Sequence, residues 1–269
     1  MSLPSSLPTL NDKQIQELAQ VLDLATREAR EIERLTVKYP DLSLADAYRI
    51  QETGIRLRFS RGERLLGLKM GLTSEAKRKQ MNLDSPCYGM LTDRMRTEEG
   101  SVFSLKGKIH PKIEPEIAFM IRREIRGIPT PKEALDSCSG VCAALEILDS
   151  RFTGFKYFSL PDVVADNSSS AYYVLGREVL PPDAADWGAL EMTMEVNGQP
   201  AQTGLSSAIS GNPVNSIVQL CELLSARGLS LPSGSVVLAG AATQAVQLEK
   251  GMKVELKVKK LGSMSIRVQ

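Results

Sequence analysis

Three glutamates in this chain stand where charge is costly. Glu114 and Glu116 lie two apart in "HPKIEPEIAFMI", residues 110–121, and Glu146 is the one glutamate of the apolar run "VCAALEI" that leads into "LDSR". In an extended strand Glu114 and Glu116 project from one face, and Ile113 and Ile117 from the other. Neighbouring carboxylates in an apolar strand repel each other and lose hydration on burial. Two readings fit the pair: a solvated strand face, or a hard divalent cation that removes both penalties. Glu146 shifts the balance toward the cation, because an unpaired carboxylate in an apolar strand needs a partner or a metal. Its alternative is an edge strand with Glu146 facing water. Three convergent carboxylates completed by water suit Mg²⁺ or Mn²⁺ better than zinc.

Two further segments carry chemistry-bearing side chains. In "LLGLKMGLTS" Lys69 sits between Gly67 and Gly71. A lysine there is either desolvated beside a ligand, with glycines allowing close backbone approach, or a strand lysine snorkelling to solvent. In "PDVVADNSSS", residues 161–170, Asp162, Asp166, Asn167 and three serines follow a proline. This is either a substrate-facing polar loop or turn chemistry. His110, beside Pro111, reads as a structural or supporting residue rather than a ligand.

Composition narrows the choices. The chain has 269 residues, 33 basic and 32 acidic side chains and a net charge of +1, which is a poor balance for nucleic-acid binding. His110 is the single histidine, which excludes HExxH and three-histidine zinc sites. Acid–base or metal work therefore falls to carboxylates and lysines. Cys87, Cys138, Cys142 and Cys221 have no CxxC spacing and read as small buried residues. Neither a G-x-G-x-x-G fingerprint nor a Walker A loop is present. No leader and no apolar run of about 18 residues is seen, so a cytoplasmic protein with no membrane partner is expected.

These residues need elements to hold them. Asn11 or Asp12 begins a helix through Ile15, Leu18, Ala19, Leu22 and Ala25, and Ser43 begins another with Ala47, Ile50, Gly54 and Leu57 on one face. After Gly62 the segments become short, apolar and punctuated, a β-rich texture. Strands are expected at 64–70, 112–121, 141–148, 170–175, 191–196, 235–239, 253–258 and near 264–268, with a hairpin turn at Asn197-Gly198. Helices are expected at 74–81, 131–137 and 213–227, the last closed by Gly228. The organisation expected is a helical segment over 1–60 and a β-rich catalytic domain over 61–269, an α+β protein.

"GLKMGLTS", "HPKIEPEIAFMI", "ALEILDSRF" and "LPDVVADNSSS", in this order and spacing, resemble the fumarylacetoacetate hydrolase superfamily. The closest branch is that of 2-keto-4-pentenoate hydratases and 4-oxalocrotonate decarboxylases, and the resemblance runs from about residue 60 to the C-terminus. The wording "KMGLTSEAKRKQMNLDSPCYGMLTDRM" looks more like the decarboxylases than the hydratases. The resemblance implies a β-rich roll of bent mixed sheets with an N-terminal helical segment. It implies that Glu114, Glu116 and Glu146 bind Mg²⁺, with Mn²⁺ as a substitute. It implies catalytic roles for Lys69 and Asp93, and substrate contacts from Asp162, Asp166, Asn167 and Ser168.

The activity implied is Mg²⁺-dependent decarboxylation of a small dicarboxylate, 2-oxo-3-hexenedioate, to 2-hydroxypenta-2,4-dienoate and CO₂, in the meta-cleavage route of aromatic degradation. Alternatives are hydration of 2-hydroxypentadienoate, or a non-catalytic partner subunit of a hydratase. A homo-oligomer and association with the pathway hydratase are implied too. Arg151, Thr73 and Thr243 are candidates for the distal carboxylate.

Overall fold

The computed structural model describes residues 8–74, 78, 83, 85–155 and 159–269. The helix expected at 74–81 falls mostly outside them. The chain opens with α1 (Asp12–Glu28), α2 (Leu35–Lys38) and α3 (Leu44–Phe59). Asn11 caps α1 in a reciprocal box with Gln14, and the Ser43 hydroxyl caps α3 at the Asp46 amide. The apolar face of α1 (Ile15, Leu18, Ala19, Leu22) shares one core with the sheets. α2 was not expected from the sequence.

Buried Asp46 ties the N-terminal stretch to α3. It accepts from the amides of Thr9 (2.6 Å) and Leu10 (3.1 Å), the Ser43 hydroxyl (2.9 Å) and Arg49 Nη1 (2.6 Å). Burial pushes its carboxyl up, but these donors together hold it below the ordinary 3.8. A depressed folded pKa contributes stability that is present above 3.8 and lost as pH falls through the folded value. Asp46→Ala is expected to cost roughly 2–4 kcal/mol at pH 7 in urea denaturation, with the deficit shrinking toward pH 3. An equal deficit at both pH values would refute this account.

The larger sheet is mixed. It contains β1 (Leu65–Gly71), β2 (Cys87–Thr92), β3 (Arg96–Thr97), β5 (Lys112–Ile121), β6 (Cys138–Leu148), β7 (Ser170–Leu175) and β10 (Val236–Ala241), in the order β2-β1-β10-β5-β6-β7-β3. Short β11 (Val246–Gln247) pairs with the start of β5. The smaller sheet has the order β4-β13-β12-β8-β9, from β4 (Val102–Phe103), β8 (Glu191–Val196), β9 (Gln199–Leu205), β12 (Lys253–Val258) and β13 (Gly262–Val268). Short α4 (Pro131–Asp136) and α5 (Leu160–Ala165) and the longer α6 (Pro213–Ser225) complete the fold. α6 stops two residues short of expectation, with Ala226 as its cap, and Gly228 turns the chain at φ +69°.

The larger sheet is strongly curled: β2 and β7, at opposite ends of the order β2-β1-β10-β5-β6-β7, touch, and an ion pair spans its interior. Lys69 (β1) and Glu146 (β6) are three strands apart, which on a flat sheet is roughly 14 Å. Their side chains nevertheless meet, Lys69 Nζ to Glu146 Oε1 at 3.3 Å. Inside the curl, Ala118, Cys142, Ala144 and Leu238 form a small apolar cluster with Leu91, Met95 and Tyr173. The small side chains of Ala118, Cys142 and Ala144 leave room on this face for the strands to bend toward each other. The two ends of the curl approach where Gly89 of β2 packs on Asn167 and Ser170. All four cysteines are free and buried, and burial pushes the thiols of Cys138, Cys142 and Cys221 up to about 12. Among the described residues, no helix is long and apolar enough to cross a membrane.

Candidate functional site

The three acids converge inside the curl. β5 and β6 pair antiparallel over their length, and Glu114 lies directly opposite Glu146, while Glu116 lies opposite Ala144. All three side chains therefore share the inner face. A carboxylate oxygen from each lies within 4.8 Å of the others. Glu116 and Glu146 are fully buried, and Glu114 is half-buried at the mouth. Glu116 Oε1 and Glu146 Oε2 have no partner, and Glu146 Oε1 has only the ion pair with Lys69 Nζ at 3.3 Å, without hydrogen-bond geometry.

Lys69 enters from β1 and is itself 3% exposed. Burial pushes its ammonium down, but Glu146 and then Glu114 lift it above the ordinary lysine value, so it stays charged. Burial, followed by the charges of Glu146 and Glu114, pushes the Glu116 carboxyl well above the ordinary range. Ionising all three acids against one ammonium would leave net negative charge in a place without water's dielectric, which is why Glu116 resists it. Orphaned carboxylate oxygens and uncompensated charge are what a hard dication satisfies. The donor set is all oxygen and fits Mg²⁺ or Mn²⁺.

The glycines have specific tasks. A Cβ on Gly67 would meet the Val236 carbonyl oxygen at 2.1 Å, so only glycine lets β1 lie this close to β10. A Cβ on Gly71 would meet Ser168 Oγ at 2.6 Å, Cys87 Sγ at 3.3 Å and Lys69 Nζ at 3.6 Å. Gly240, at φ +108°, donates its amide to Glu116 Oε2 at 2.7 Å and orients that carboxylate. A Cβ there would meet Thr73 Oγ1 at 2.4 Å. Gly240→Ala is expected to weaken metal affinity by about tenfold or more, through backbone strain and a displaced charge-assisted donor. Titration with Mn²⁺ followed by electron paramagnetic resonance checks this, and unchanged affinity would remove Gly240 from the site.

The other sequence-derived candidates divide. Ser168 reaches the site's flank, with its Oγ 3.5 Å from Cys87 Sγ. Its neighbours do structural work. Asp162, expected to touch substrate, lies in the first turn of α5, where Ser159 caps its amide and donates to its carboxylate, and it accepts from the Thr36 amide (3.1 Å) and hydroxyl (2.5 Å), holding α2. Asp166 is bound by Arg151 and by the Ser150 hydroxyl, and is buried. Asn167 exchanges hydrogen bonds with Met90 N (2.8 Å) and O (2.9 Å), closing the edge of β2 as a strand would.

Asp93 also lies apart from the acid cluster. β1 pairs Leu65 with Thr92, so Asp93 sits at the opposite end of that strand from Lys69. There it takes the Arg64 amide (2.9 Å) and Nε (3.1 Å) and caps the turn. Arg151 is committed to Asp166 and to two backbone carbonyls, which leaves no fork for a substrate carboxylate. His110 Nε2 lies 3.2 Å from Glu31 Oε1 and from the Phe152 carbonyl, away from the acids. Gly240 was not singled out from the sequence. The signal available was its place directly after the apolar run "VVLA" within β10.

Comparison with known proteins bears on this arrangement. Residues 68–269 match the family model described as fumarylacetoacetate (FAA) hydrolase C-terminal. The chain belongs to the fumarylacetoacetate hydrolase family. A member of this family's hydratase and decarboxylase branch, a 4-oxalocrotonate decarboxylase from Pseudomonas sp., is 41% identical over 93% of this chain and 96% of its own length. A 2-hydroxyhexa-2,4-dienoate hydratase from Comamonas testosteroni is 37% identical over 96% of this chain and 99% of its own. The solved 4-oxalocrotonate decarboxylase from Pseudomonas putida G7, complexed with magnesium and adipate, superposes with a TM-score of 0.95 at 34% identity. That superposition covers 98% of this chain and 100% of the other. The bent mixed sheets with peripheral helices are thus the fold of this fumarylacetoacetate hydrolase branch.

Proposed function

We propose that the chain is a lyase, a divalent-metal-dependent decarboxylase that converts 2-oxo-3-hexenedioate to 2-hydroxypenta-2,4-dienoate and CO₂. The observation that carries the reading is the buried trio of Glu114, Glu116 and Glu146, with orphaned oxygens, beside a charged Lys69. It is supported by near-full-length similarity to decarboxylases, one of them solved with magnesium and a six-carbon dicarboxylate. The substrate is a vinylogous β-keto acid. Loss of the distal carboxylate as CO₂ sends its electron pair through the C3–C4 double bond to the C2 oxygen.

A bound divalent cation would supply Lewis acidity for the charge that develops on the C2 oxygen. Glu114, Glu116 and Glu146 hold it, and the Gly240 amide sets the Glu116 rotamer. Lys69 provides a fixed ammonium where negative charge develops, and it is already desolvated before substrate arrives. The apolar lining of the curl, Ala118, Ala144 and Leu238, keeps the surroundings low in dielectric. A substrate contact from Ser168 of the polar loop is supported by its Oγ lying beside Cys87 on the flank of the site. Decarboxylation begins without a base, which suits a chain with one histidine remote from the acids.

The test supplies 2-oxo-3-hexenedioate to protein stripped of metal, then restores Mg²⁺ and follows CO₂. Turnover only with metal is expected, and metal-independent turnover sinks the reading. The hydratase reading has a specific support in the Comamonas relative. Feeding 2-hydroxypenta-2,4-dienoate and finding 4-hydroxy-2-oxopentanoate would establish it instead. A homo-oligomer in the cytoplasm, associating with a hydratase that consumes the dienoate, completes the proposal.

A further inference from the structure

The inner face of β5 carries one more charged residue beside its two glutamates. Lys112, Glu114 and Glu116 alternate with Ile113 and Pro115, so all three project from the same face of the strand. Exposure rises along that face, from buried Glu116 to half-buried Glu114 and Lys112 at the mouth. The register sets Lys112 opposite Leu148 of β6 and Gln247 of β11, both neutral. No acid therefore faces it across the strands.

The Lys112 ammonium is held without being neutralised. Its Nζ lies 4.3 Å from the centroid of the Phe155 ring, a cation–π contact. The His110 ring lies 5.9 Å from Phe155 on another side. Burial pushes the ammonium below the ordinary 10.5, and among the described residues no acid opposes that shift. Lys69, by contrast, is paired with Glu146 deeper in the curl. A half-buried cation with a ring against it and no anion is a place where a carboxylate gains a partner.

Reach agrees with charge. Two residues along a strand span about 7 Å, so Lys112 stands one repeat outward from Glu114. A six-carbon diacid with its 2-oxo acid end among the glutamates extends that far with its other end. The rival cation is committed elsewhere, since Arg151 is bound to Asp166 and to backbone carbonyls.

We propose that Lys112 binds the distal carboxylate of the substrate and so selects dicarboxylates over monocarboxylates. The inference rests on the decarboxylase reading and deepens it. In that reaction the C5–C6 bond breaks, C6 leaves as neutral CO₂, and the electron pair and its charge pass to the C2 oxygen. The carboxylate loses its charge as the bond breaks. The Lys112 contact is thus stronger with bound substrate than in the transition state, and it serves binding rather than turnover.

The test is calorimetric titration of the Mg²⁺-loaded protein with 2-oxohexanedioate and 2-oxohexanoate. The two probes share the 2-oxo acid end and differ in the distal carboxylate. Wild type should bind the diacid about tenfold more tightly or better. Lys112→Met should lose that preference by weakening the diacid alone, and Lys112→Arg should keep most of it. Lys112→Gln repeats the measurement if the methionine variant folds poorly. Mn²⁺ affinity should stay at the wild-type value in each. With 2-oxo-3-hexenedioate, the loss in Lys112→Met should fall on KM, about tenfold, rather than on kcat. Equal affinity of wild type for the two probes would overturn the proposal, as would failure to bind the diacid up to roughly 10 mM. A preference that survives in Lys112→Met and Lys112→Gln, or equal weakening of both probes, would overturn it too. A protein that prefers the diacid through Lys112 yet releases no CO₂ would refute the decarboxylase reading and leave this site standing.

Discussion

Lys69→Met is expected to lower turnover by about 10²–10³-fold and, in the same protein, to tighten metal binding. The two effects have opposite signs because Lys69 is a cation beside a cation site. Its ammonium, 3.3 Å from Glu146 Oε1, offsets part of the charge that a metal would otherwise neutralise. Removing it leaves the acids more negative and the metal better held, by roughly tenfold or more. The reaction loses a fixed positive charge where the C2 oxygen becomes anionic, and one such donor is typically worth about 2.7–4 kcal/mol. Methionine matches the length of the stem, so packing inside the curl changes little.

Stability provides a third readout. Without its ammonium, buried Glu146 is an uncompensated charge in the metal-free protein, a loss of about 3–5 kcal/mol. Magnesium should restore most of it, so the metal-induced rise in melting temperature should be larger than in wild type. Thermal scans with and without Mg²⁺, run beside CO₂ assays and Mn²⁺ titration, separate these effects. Wild-type turnover in the variant would make Lys69 merely structural. Weaker metal binding would mean that it orders the acids rather than opposing the metal.

The sequence makes some of this legible because the clues are local. A charge inside an apolar strand is visible without any fold, and Glu114, Glu116, Glu146 and Lys69 were found that way. The alternation of residues 112–121 marks β5 at its observed ends. β2 was missed because "CYGMLT" has no clean alternation and a glycine in its middle. It is a strand because β1 pairs with it. β9 was missed because "QPAQTGL" is a largely exposed edge with little apolar content, although the Asn197-Gly198 turn required a partner for β8.

Asp93, Asp162 and Asp166 lie apart from the acid trio, bonded to other groups, for one physical reason. Acids near turns and helix starts are most often spent on backbone amides and arginines, and only the fold shows which partners are in reach. The Gly240 amide is invisible to any reading of side chains. Its role depends on the register of β10 against β5, where Ala241 pairs with Glu116 after an irregularity.

Glu116→Gln should behave oppositely to Lys69→Met. It should make the metal-free protein more stable, while abolishing metal binding and turnover. Ionising Glu116 is costly, since burial and the neighbouring Glu146 and Glu114 push its carboxyl well above the ordinary 4.5. A raised folded pKa means that protonation stabilises the fold fully below 4.5 and that this contribution is lost as pH rises through the folded value. Metal-free wild type should therefore lose stability as pH climbs out of the ordinary carboxylate range. Glutamine is the neutral isostere, and its oxygen still accepts from the Gly240 amide, so the variant should lack that pH-dependent loss.

The bound state reverses the order. A metal at a hundredfold excess over its Kd stabilises wild type by about 2.7 kcal/mol. In a chain of this size that is roughly 5–10 °C in melting temperature. Glu116→Gln forfeits the gain along with the charge that held the ion. Wild type should thus melt below the variant in chelator and above it in Mg²⁺. If the curves keep the same order in both conditions, Glu116 is not a metal ligand and its burial serves packing alone.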